Sequence, residues 1–579
     1  MKVSVSYATS QDESFGEFLS LYPSYKSTMV IDALRHDEYP HLDKEGHVCL
    51  DYTGIGLFSS LQRNPELYGG FGIGLSPTSA NLATHAMYME GGSTESFFRN
   101  RILRYLSLDE DGYYIVFTAN ALSAFKLLAH SYPFHEAHNF LFAYDHECEN
   151  IEAVRECAHL KGAHIQSANL INPLSRIDAD DLRQKLQSKR KSSSQRVGNK
   201  GLFAYPYTSR VTGCKNSSQW IPEAQQEGWH VLLDATSVDA KFSESLGLAL
   251  FSPDFLICSF YFVFGEDPTG FGCLVIKKSV LRTLGDSFRA RAIGMVKIVT
   301  KQDPSSSPDE SSEVSIHAID PHVQLLRDNP GHRRTCSMRD FSFEEESPGN
   351  VNTPSFTELY AHKESLGLSR VGSRHGKETP QSSNPSRMHR ASIDMHFSCR
   401  GLDHADMLGY KGVAVRLRTL SSWLISSLSR LRHPEPDGTP LVKFYSPWSS
   451  AEGGSIVAFT LSDSAGRAFN PRRVQMLADR NSISLGTGVI AGTISSDVQE
   501  NIEDPRDVGC VELPNHKWRS RGGRMQNVLV PVVYVSLGFL NNFHDLFRLW
   551  LFISKFLDPD FISQELWHYQ ALNQETIEI

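Results

Sequence analysis

The chain has 579 residues, of which 40% are hydrophobic and 21% are charged, and its formal net charge is -9. This length is too great for one small hydrophobic core, so we expect two or more packed units that are mostly globular. The negative charge disfavours nucleic acid and anionic membranes as general partners. The most apolar stretch, 528–543, is too short and too interrupted by Pro531 and Gly538 to span a bilayer.

Nine cysteines are scattered along the chain, and no CxxC pair occurs. Their odd number and low density predict reduced thiols in an intracellular compartment, which we take to be the cytoplasm. Residues 1–15 are polar and lack the apolar core of a secretory signal, which supports the same prediction.

Short apolar runs alternate with amphipathic runs between residues 80 and 279. Runs such as Tyr113–Thr118 and Trp229–Asp234 predict buried strands, and residues 121–130 predict a helix that follows the first of them. This alternation predicts an α/β fold with a mostly parallel sheet that is covered by helices on both faces. Ligands of such sheets bind beyond the carboxyl ends of the strands.

The segment 300–392 differs in composition, because it is rich in serine, proline and acidic residues and has few apolar ones. This composition predicts that the segment is a disordered insertion. Helical and strand-like spacing returns after it, and the chain ends near an amphipathic helix at 542–556. We therefore divide the chain into a segment 1–79 that contributes to a small domain, a large domain 80–299, the insertion 300–392 and a C-terminal small domain 393–579.

The first candidate binding element is Thr118-Ala119-Asn120, which lies between a predicted strand and a predicted helix. Exposed backbone N–H groups and the helix dipole favour a phosphate group at such a point. An ordinary helix cap explains the same residues equally well.

Two further elements could bind the ring and phosphate of pyridoxal phosphate. Asp234 ends a buried strand, where a carboxylate can bind the protonated ring nitrogen and make the ring an electron sink. Ser259 and Tyr261 lie in an aromatic turn, and their hydroxyl groups can bind a phosphate. A carboxylate that caps a turn, and a tight turn packed with aromatic side chains, are the alternatives.

As a set, these elements resemble the class V aminotransferase group of pyridoxal-phosphate-dependent transferases. Within that group they resemble the amino-terminal domain of molybdenum cofactor sulfurases, in a plant-type branch without the second, MOSC-type domain. The motifs that carry the resemblance are Leu34-Arg35, Glu38-Tyr39-Pro40-His41-Leu42, Leu50-Asp51-Tyr52-Thr53-Gly54, Val116-Phe117-Thr118, Asp145-His146-Glu147, Ser209-Arg210-Val211-Thr212-Gly213, Cys399-Arg400-Gly401-Leu402-Asp403-His404 and Leu485-Gly486-Thr487-Gly488.

The resemblance implies a fold and a set of roles. The fold is that of fold type I enzymes, with a large α/β domain and a smaller α/β domain from the two chain ends, and a homodimer is expected. His146 would stack on the pyridine ring, and Asp234 would bind the ring nitrogen. The residues that would hold the phosphate are Thr118, Ala119, Asn120, Ser259 and Tyr261.

The sequence departs from the family at two positions that carry chemistry. Phe262 stands where the family has its Schiff-base lysine, so no amine is present there. A desulfurase also needs a mobile, reactive cysteine. The family carries its cysteines after a Leu-x-Thr-Gly turn, whereas here Gly488 is followed by Val489, Ile490 and Ala491.

Two other motifs predict no ligand site. Gly486-Thr487-Gly488-Val489-Ile490-Ala491 fits the dinucleotide-binding pattern GxGxxA without the acidic partner, so we predict a turn. His396, Cys399 and His404 are close in sequence, but a zinc site needs four placed ligands, so we predict no metal site.

Three functional hypotheses therefore remain open. The first is a catalytically impaired relative of the sulfurases that binds pyridoxal phosphate, if at all, without a covalent bond. The second is an active pyridoxal-phosphate-dependent transferase that uses another amine. The third is an interaction protein that works through the insertion 300–392.

Overall fold

The protein is represented by a computed structural model. It describes residues 11–44, 46–51, 59–60, 72–78, 82, 93–171, 176–187, 200–237, 248–260, 271–285, 288–301, 400–434, 438–446, 455–495 and 525–561. All of these residues belong to one unit, Met1–Lys301 together with Asn384–Ile579. The insertion predicted at 300–392 lies outside the described residues from 302 onward, so it stays a prediction, as do the domain boundaries.

The described part of the chain contains 17 strands, and nine of them form one mixed sheet. The described strands are β1 (Val48–Cys49), β2 (Gly72–Thr78), β3 (Tyr113–Thr118), β4 (Asn139–Phe142), β5 (His164–Ser167), β6 (Leu170–Ile171), β7 (Arg176–Ile177), β8 (Gly201–Pro206), β9 (Trp229–Asp234), β10 (Phe255–Phe260), β11 (Phe271–Lys277), β12 (Met295–Lys301), β13 (Val442–Phe444), β14 (Ile456–Leu461), β15 (Ile483–Ser484), β16 (Gly486–Ser495) and β17 (Met525–Ser536). The order in the large sheet is β2-β12-β3-β11-β10-β9-β8-β4-β5. The pairs from β10 to β5 are parallel, which confirms the predicted parallel sheet, whereas β11 and β12 run antiparallel to their neighbours and make the whole sheet mixed.

Helices alternate with these strands along the chain. The described α-helices are α1 (Gln11–Leu21), α2 (Val30–Glu38), α3 (Pro40–Lys44), α4 (Ser93–Tyr105), α5 (Ala121–Ser131), α6 (Phe134–Ala137), α7 (Glu149–Leu160), α8 (Ala179–Gln187), α9 (Trp220–Gln226), α10 (Leu248–Phe251), α11 (Phe288–Ile293), α12 (Arg400–Ser429), α13 (Pro471–Arg480) and α14 (Phe543–Ser554). Among the helices of the described part, none combines the length and the apolar character that crossing a bilayer requires.

The central strands of the large sheet are buried on both faces because their residues are almost all apolar. Strand β3 has the sequence YYIVFT, and all of its residues are buried. Ile115 and Phe117 belong to the hydrophobic core on one face, whereas Tyr114 and Val116 belong to the core on the other. Since side chains alternate along a strand, one apolar run can fill both cores.

The N-terminal and C-terminal parts of the chain pack together around a smaller sheet. Strands β13, β14, β17 and β16 form it in that order, and each pair is antiparallel. Strand β1 pairs in parallel with β15, so that Val48 lies opposite Ile483. This arrangement confirms the smaller α/β part from the two chain ends that the resemblance implied.

Two buried arginines join these distant parts of the chain. Arg35 of α2 donates from Nη1 to Asp545 Oδ2 at 2.6 Å and from Nη2 to Asp545 Oδ1 at 3.1 Å. Arg416 of α12 is fully buried, and its Nη1 donates to Asp32 Oδ2 at 3.1 Å. The Nε atom of Arg416 also donates to the carbonyl oxygen of Asn541 at 2.8 Å. A planar guanidinium group suits such sites because it can donate to several acceptors at once.

We expect that Asp545→Ala will lower the free energy of unfolding by about 3–5 kcal/mol, because it leaves the Arg35 charge buried without its main partner. The side chains of Arg35 and Asp545 are each 6% exposed. The matched control is Arg104→Ala, which breaks an ion pair with Glu110 in which the arginine is 71% exposed. That change should cost less than about 1 kcal/mol. Urea-induced unfolding measures the free energy of unfolding of both variants. Equal losses would contradict the conclusion that the buried pair of Arg35 and Asp545 stabilises the fold more than an exposed pair does.

Candidate functional site

The carboxyl ends of five strands meet at one edge of the large sheet. Strands β4, β8, β9 and β10 are parallel neighbours, and β3 runs in the same direction because it is antiparallel to β11, which is antiparallel to β10. This edge therefore brings together Thr118 at the end of β3, Asp234 at the end of β9 and Ser259 near the end of β10. His146 and Ser209 follow β4 and β8 at the same edge. Such an edge is where α/β sheets bind ligands.

The predicted phosphate element forms the start of helix α5. Asn120 is the N-cap residue, and its Oδ1 atom accepts a hydrogen bond from the backbone nitrogen of Ser123 at 2.8 Å. The buried Thr118 hydroxyl donates to the backbone oxygen of Asn120 at 2.8 Å, so its proton is used within the turn. Ala119 and Asn120 are exposed. The cap predicted as the alternative is therefore present, and the exposed backbone at the helix start is the part that a phosphate could reach.

Gly272 allows β11 to pass close to this turn. A Cβ atom at this position would lie 2.4 Å from the backbone oxygen of Asn120 and 2.7 Å from Thr118 Oγ1. Side chains do not approach backbone this closely, so the turn and the strand fit together only with glycine here.

Asp234 is a buried carboxylate whose two oxygen atoms are held in place. Its Oδ2 accepts from the Tyr144 hydroxyl at 3.0 Å, and its Oδ1 accepts from Thr236 N at 2.9 Å and Thr236 Oγ1 at 2.7 Å. Burial raises the pKa of Asp234, and the hydrogen bonds from Thr236 and Tyr144 act in the opposite direction. Each carboxylate oxygen has two lone pairs, so further acceptor capacity remains for a cationic ring nitrogen.

His146 is paired with the preceding residue. Its Nδ1 lies 2.8 Å from Asp145 Oδ1, and both side chains are buried. Burial disfavours the charged imidazole, but the hydrogen bonds to Asp145 and to the Cys148 thiol outweigh it and raise the pKa of His146 to about 10. Burial likewise disfavours the charged form of Asp145, but the contact with His146 and the hydrogen bonds from Thr212 and Ser209 outweigh it and lower the pKa of Asp145. The two residues are therefore a buried ion pair at neutral pH.

The motif Ser209-Arg210-Val211-Thr212-Gly213 supports this ion pair. Thr212 Oγ1 donates to Asp145 Oδ2 in a short hydrogen bond, and Ser209 Oγ lies 3.4 Å from His146 Nδ1. Ser209 Oγ also accepts from the backbone nitrogen of Thr212 at 3.1 Å, which shapes the loop. From the sequence, these residues are known only as parts of the resemblance. The adjacency of Asp145 and His146 is the only signal in the sequence for the ion pair. Nothing near them in the sequence indicates Thr212 as a partner of Asp145.

Strand β16 of the smaller sheet joins the site through its backbone. The nitrogen of Glu147 donates to the carbonyl of Val489 at 3.0 Å, and the nitrogen of Ala491 donates to the carbonyl of Asp145 at 2.9 Å. His146 and Ile490 lie opposite each other in an antiparallel bridge. Val489, Ile490 and Ala491 therefore lie beside His146.

The turn predicted at Gly486-Thr487-Gly488 is wrong, because these residues begin β16. Glycine is required there by close packing. A Cβ atom at Gly486 would lie 2.1 Å from Tyr534 Cζ, and one at Gly488 would lie 2.6 Å from Val211 Cγ2. The sequence pattern showed the glycines, but the partners that demand them are distant in the chain.

Two predicted site residues cannot be located. Tyr261 and Phe262 lie outside the described residues, so the phosphate role of Tyr261 stays a prediction, and the replacement at Phe262 rests on the sequence. Ser259 is half-buried and lies opposite Gly272. In the part of the chain that the structure describes, no group of three or more His, Cys, Asp or Glu side chains could hold a metal ion, and His396 and Cys399 lie outside that part.

The sequence matches curated molybdenum cofactor sulfurases, although no family model matches it. It is 25% identical to the one from Arabidopsis thaliana over 306 residues, which are 48% of this chain and 36% of that protein. It is 25% identical to the one from Emericella nidulans over 480 residues, which are 79% of this chain and 46% of that protein. The chain therefore spans less than half the length of these relatives.

Two solved structures give a weaker likeness. A cysteine desulfurase from Thermococcus onnurineus is 14% identical with a TM-score of 0.49, and the match covers 90% of this chain and 97% of that one. The cysteine desulfurase CsdA from Escherichia coli is 14% identical with a TM-score of 0.45, and the match covers 89% of this chain and 96% of that one. On these sequence matches, the chain is similar to the molybdenum cofactor sulfurases over part of their length.

Proposed function

We propose that this chain binds pyridoxal phosphate without a covalent bond and does not carry out the sulfur transfer after which its relatives are named. Two departures in the sequence support the second half of this proposal. Phe262 offers no amine, and Val489, Ile490 and Ala491 offer no thiol. Neither a phenyl ring nor an aliphatic side chain can act as a nucleophile or accept a proton.

The burial and hydrogen bonding of Asp234 are the observations that support non-covalent binding of pyridoxal phosphate. This carboxylate is buried, and three hydrogen bonds from Tyr144 and Thr236 fix both of its oxygen atoms. A buried acid that is held in this way keeps an oriented carboxylate at the edge of the sheet where α/β proteins bind ligands. It would bind the cationic ring nitrogen of pyridoxal phosphate, which when bound supplies an electron-withdrawing ring.

Two other features of this edge suit the same ligand. The exposed backbone at Ala119 and Asn120 begins helix α5, where N–H groups and the helix dipole would hold the phosphate. His146 is fixed by Asp145 and would lie against the ring. None of these contacts needs the missing lysine, so binding and covalent attachment are separable. The homodimer expected from the resemblance stays a prediction.

We expect pyridoxal phosphate to bind with a Kd in the micromolar range, because each charge-assisted hydrogen bond contributes about 1.5–3 kcal/mol and several are present. Asp234→Asn should weaken binding about tenfold or more, since the amide has no charge for the ring nitrogen. Isothermal titration calorimetry measures both values.

The matched control is Asp254→Asn. Asp254 is also a buried aspartate of the large sheet, but it precedes β10 at the opposite edge, where its Oδ2 accepts from Val231 N at 2.9 Å and Gln225 Nε2 at 3.0 Å. This variant should bind as the wild type does. Equal affinity for all three proteins would mean non-specific binding, and no binding by the wild type would refute the proposed site.

We expect borohydride reduction of the loaded protein, followed by peptide mapping, to find no lysine that carries a pyridoxyl group. Phe262→Lys should restore an amine at the family's position and produce the visible absorbance of lysine-bound pyridoxal. Phe264→Lys places the same amine two residues further along the sequence and serves as the control. A pyridoxyl group on any lysine of the wild type would favour the alternative of an active transferase that uses another amine.

A further inference from the structure

The register of three neighbouring strands brings Tyr144 level with Asp234. In β4, β8 and β9, Phe142 lies opposite Ala204, and Ala204 lies opposite Leu232. Tyr144 and Asp234 follow two residues further along the first and the last of these strands, with the end of β8 between them. Since neighbouring strands are about 4.8 Å apart, about 10 Å separates the two backbones. Only a long side chain at position 144 can therefore reach the Asp234 carboxylate.

Tyr144 makes this contact with the hydroxyl group at the tip of its side chain. The hydroxyl donates to Asp234 Oδ2 at 3.0 Å, and both residues are buried. The hydrogen bonds to Asp234 Oδ1 come from Thr236, which is two positions away in the chain. Among the hydrogen bonds that the described residues make to this carboxylate, only that of Tyr144 comes from a distant part of the sequence. It therefore fixes the carboxylate relative to the neighbouring strands.

The ring of Tyr144 has a second contact, with the imidazole of His146. The two ring centroids are 6.0 Å apart, and the ring planes are tilted by 58°. Tyr144 therefore touches both side chains that the resemblance assigns to the cofactor ring, with its hydroxyl on Asp234 and its ring on His146. A phenylalanine at this position would keep the second contact and lose only the first.

The hydroxyl of Tyr144 also favours the ionised form of Asp234. Burial raises the pKa of Asp234, whereas the hydrogen bonds from Thr236 and Tyr144 and the charge of His146 lower it. Asp145 adds a negative charge beside His146, with which it pairs. Burial raises the pKa of Tyr144 well above its ordinary value, so the phenol keeps its proton and remains a donor at neutral pH. Loss of this hydroxyl would shift Asp234 towards its neutral form.

We propose that Tyr144 is a positioning residue that holds Asp234 as a fixed, ionised carboxylate and so makes the site select aromatic ligands with a protonated ring nitrogen. This inference rests on the proposed function, because it concerns the same ligand. Tyr144 acts through Asp234, and such support from a neighbouring side chain is what keeps a binding group in its productive geometry. A ring without the nitrogen gains no ion pair from the carboxylate, although the carboxylate still loses water when the ring binds.

The test compares pyridoxal phosphate with 1-deazapyridoxal phosphate, in which a C–H group replaces the ring nitrogen. Isothermal titration calorimetry measures the affinity of both ligands for the full chain, for Tyr144→Phe and for the control Tyr113→Phe. The control removes the hydroxyl of another buried tyrosine of the large sheet. That hydroxyl donates to the carbonyl oxygen of Pro253 at 3.0 Å, at the edge of the sheet opposite to the site.

We expect the wild type to bind pyridoxal phosphate about tenfold or more tightly than the deaza analogue, since only the first forms the ion pair with Asp234. Tyr144→Phe should weaken pyridoxal phosphate binding about fivefold and change binding of the analogue less than about twofold. The loss should grow as the pH is lowered, because Asp234 of the variant takes up its proton at a higher pH than in the wild type. Tyr113→Phe should bind both ligands as the wild type does.

A second measurement needs no ligand. Carboxyl ¹³C NMR of the aspartate-labelled protein, with Asp234→Asn to assign the signal, should give a higher pKa for Asp234 in Tyr144→Phe than in the wild type. An unshifted pKa, or an equal loss of affinity for both ligands, would overturn the role of Tyr144. If the wild type binds neither ligand, the proposed function and the ring selectivity are both refuted, and the Asp234 titration alone decides whether Tyr144 holds the carboxylate.

Discussion

The ion pair of Asp145 and His146 is the interaction on which the arrangement of the site depends. It lies just beyond the carboxyl end of β4, and its backbone is bonded on one side to β16 of the smaller sheet. The side chain of Thr212 holds the carboxylate from the loop after β8. Two sheets and one loop therefore converge on a single buried pair. Removing either charge would leave the other buried without its partner, which is costly.

The same ion pair connects the predicted ligand site to strand β16 of the smaller sheet. Val489–Ala491 belong to a strand that pairs with the site segment. Close packing at Gly488 leaves no room for a side chain beside Val211. The segment is built as a connection between two sheets, and the groups that would anchor a cofactor, such as Asp234, are held by other residues.

Much of the large sheet could be predicted, because strands buried on both faces are continuous apolar runs. Tyr113–Thr118 and Trp229–Asp234 have the bounds that were predicted, and Asp234 lies at the end of its strand. The sequence does not predict β12, and the sheet expected to be mostly parallel is mixed because β11 and β12 run antiparallel to their neighbours. An apolar run carries no information about strand direction. The bond between Thr212 and Asp145 was also missed, because the residues are 67 positions apart and only the folded chain brings them together.

The central claim is that Asp145 holds His146 as a cation within the fold, and a histidine titration tests it most directly. In protein labelled with ¹⁵N-histidine, with His146→Gln used to assign the signal, NMR spectra are recorded from neutral to alkaline pH. We predict that the His146 imidazole stays protonated at neutral pH and that its pKa is about 10. A pKa near the ordinary histidine value of about 6.5 would contradict the claim.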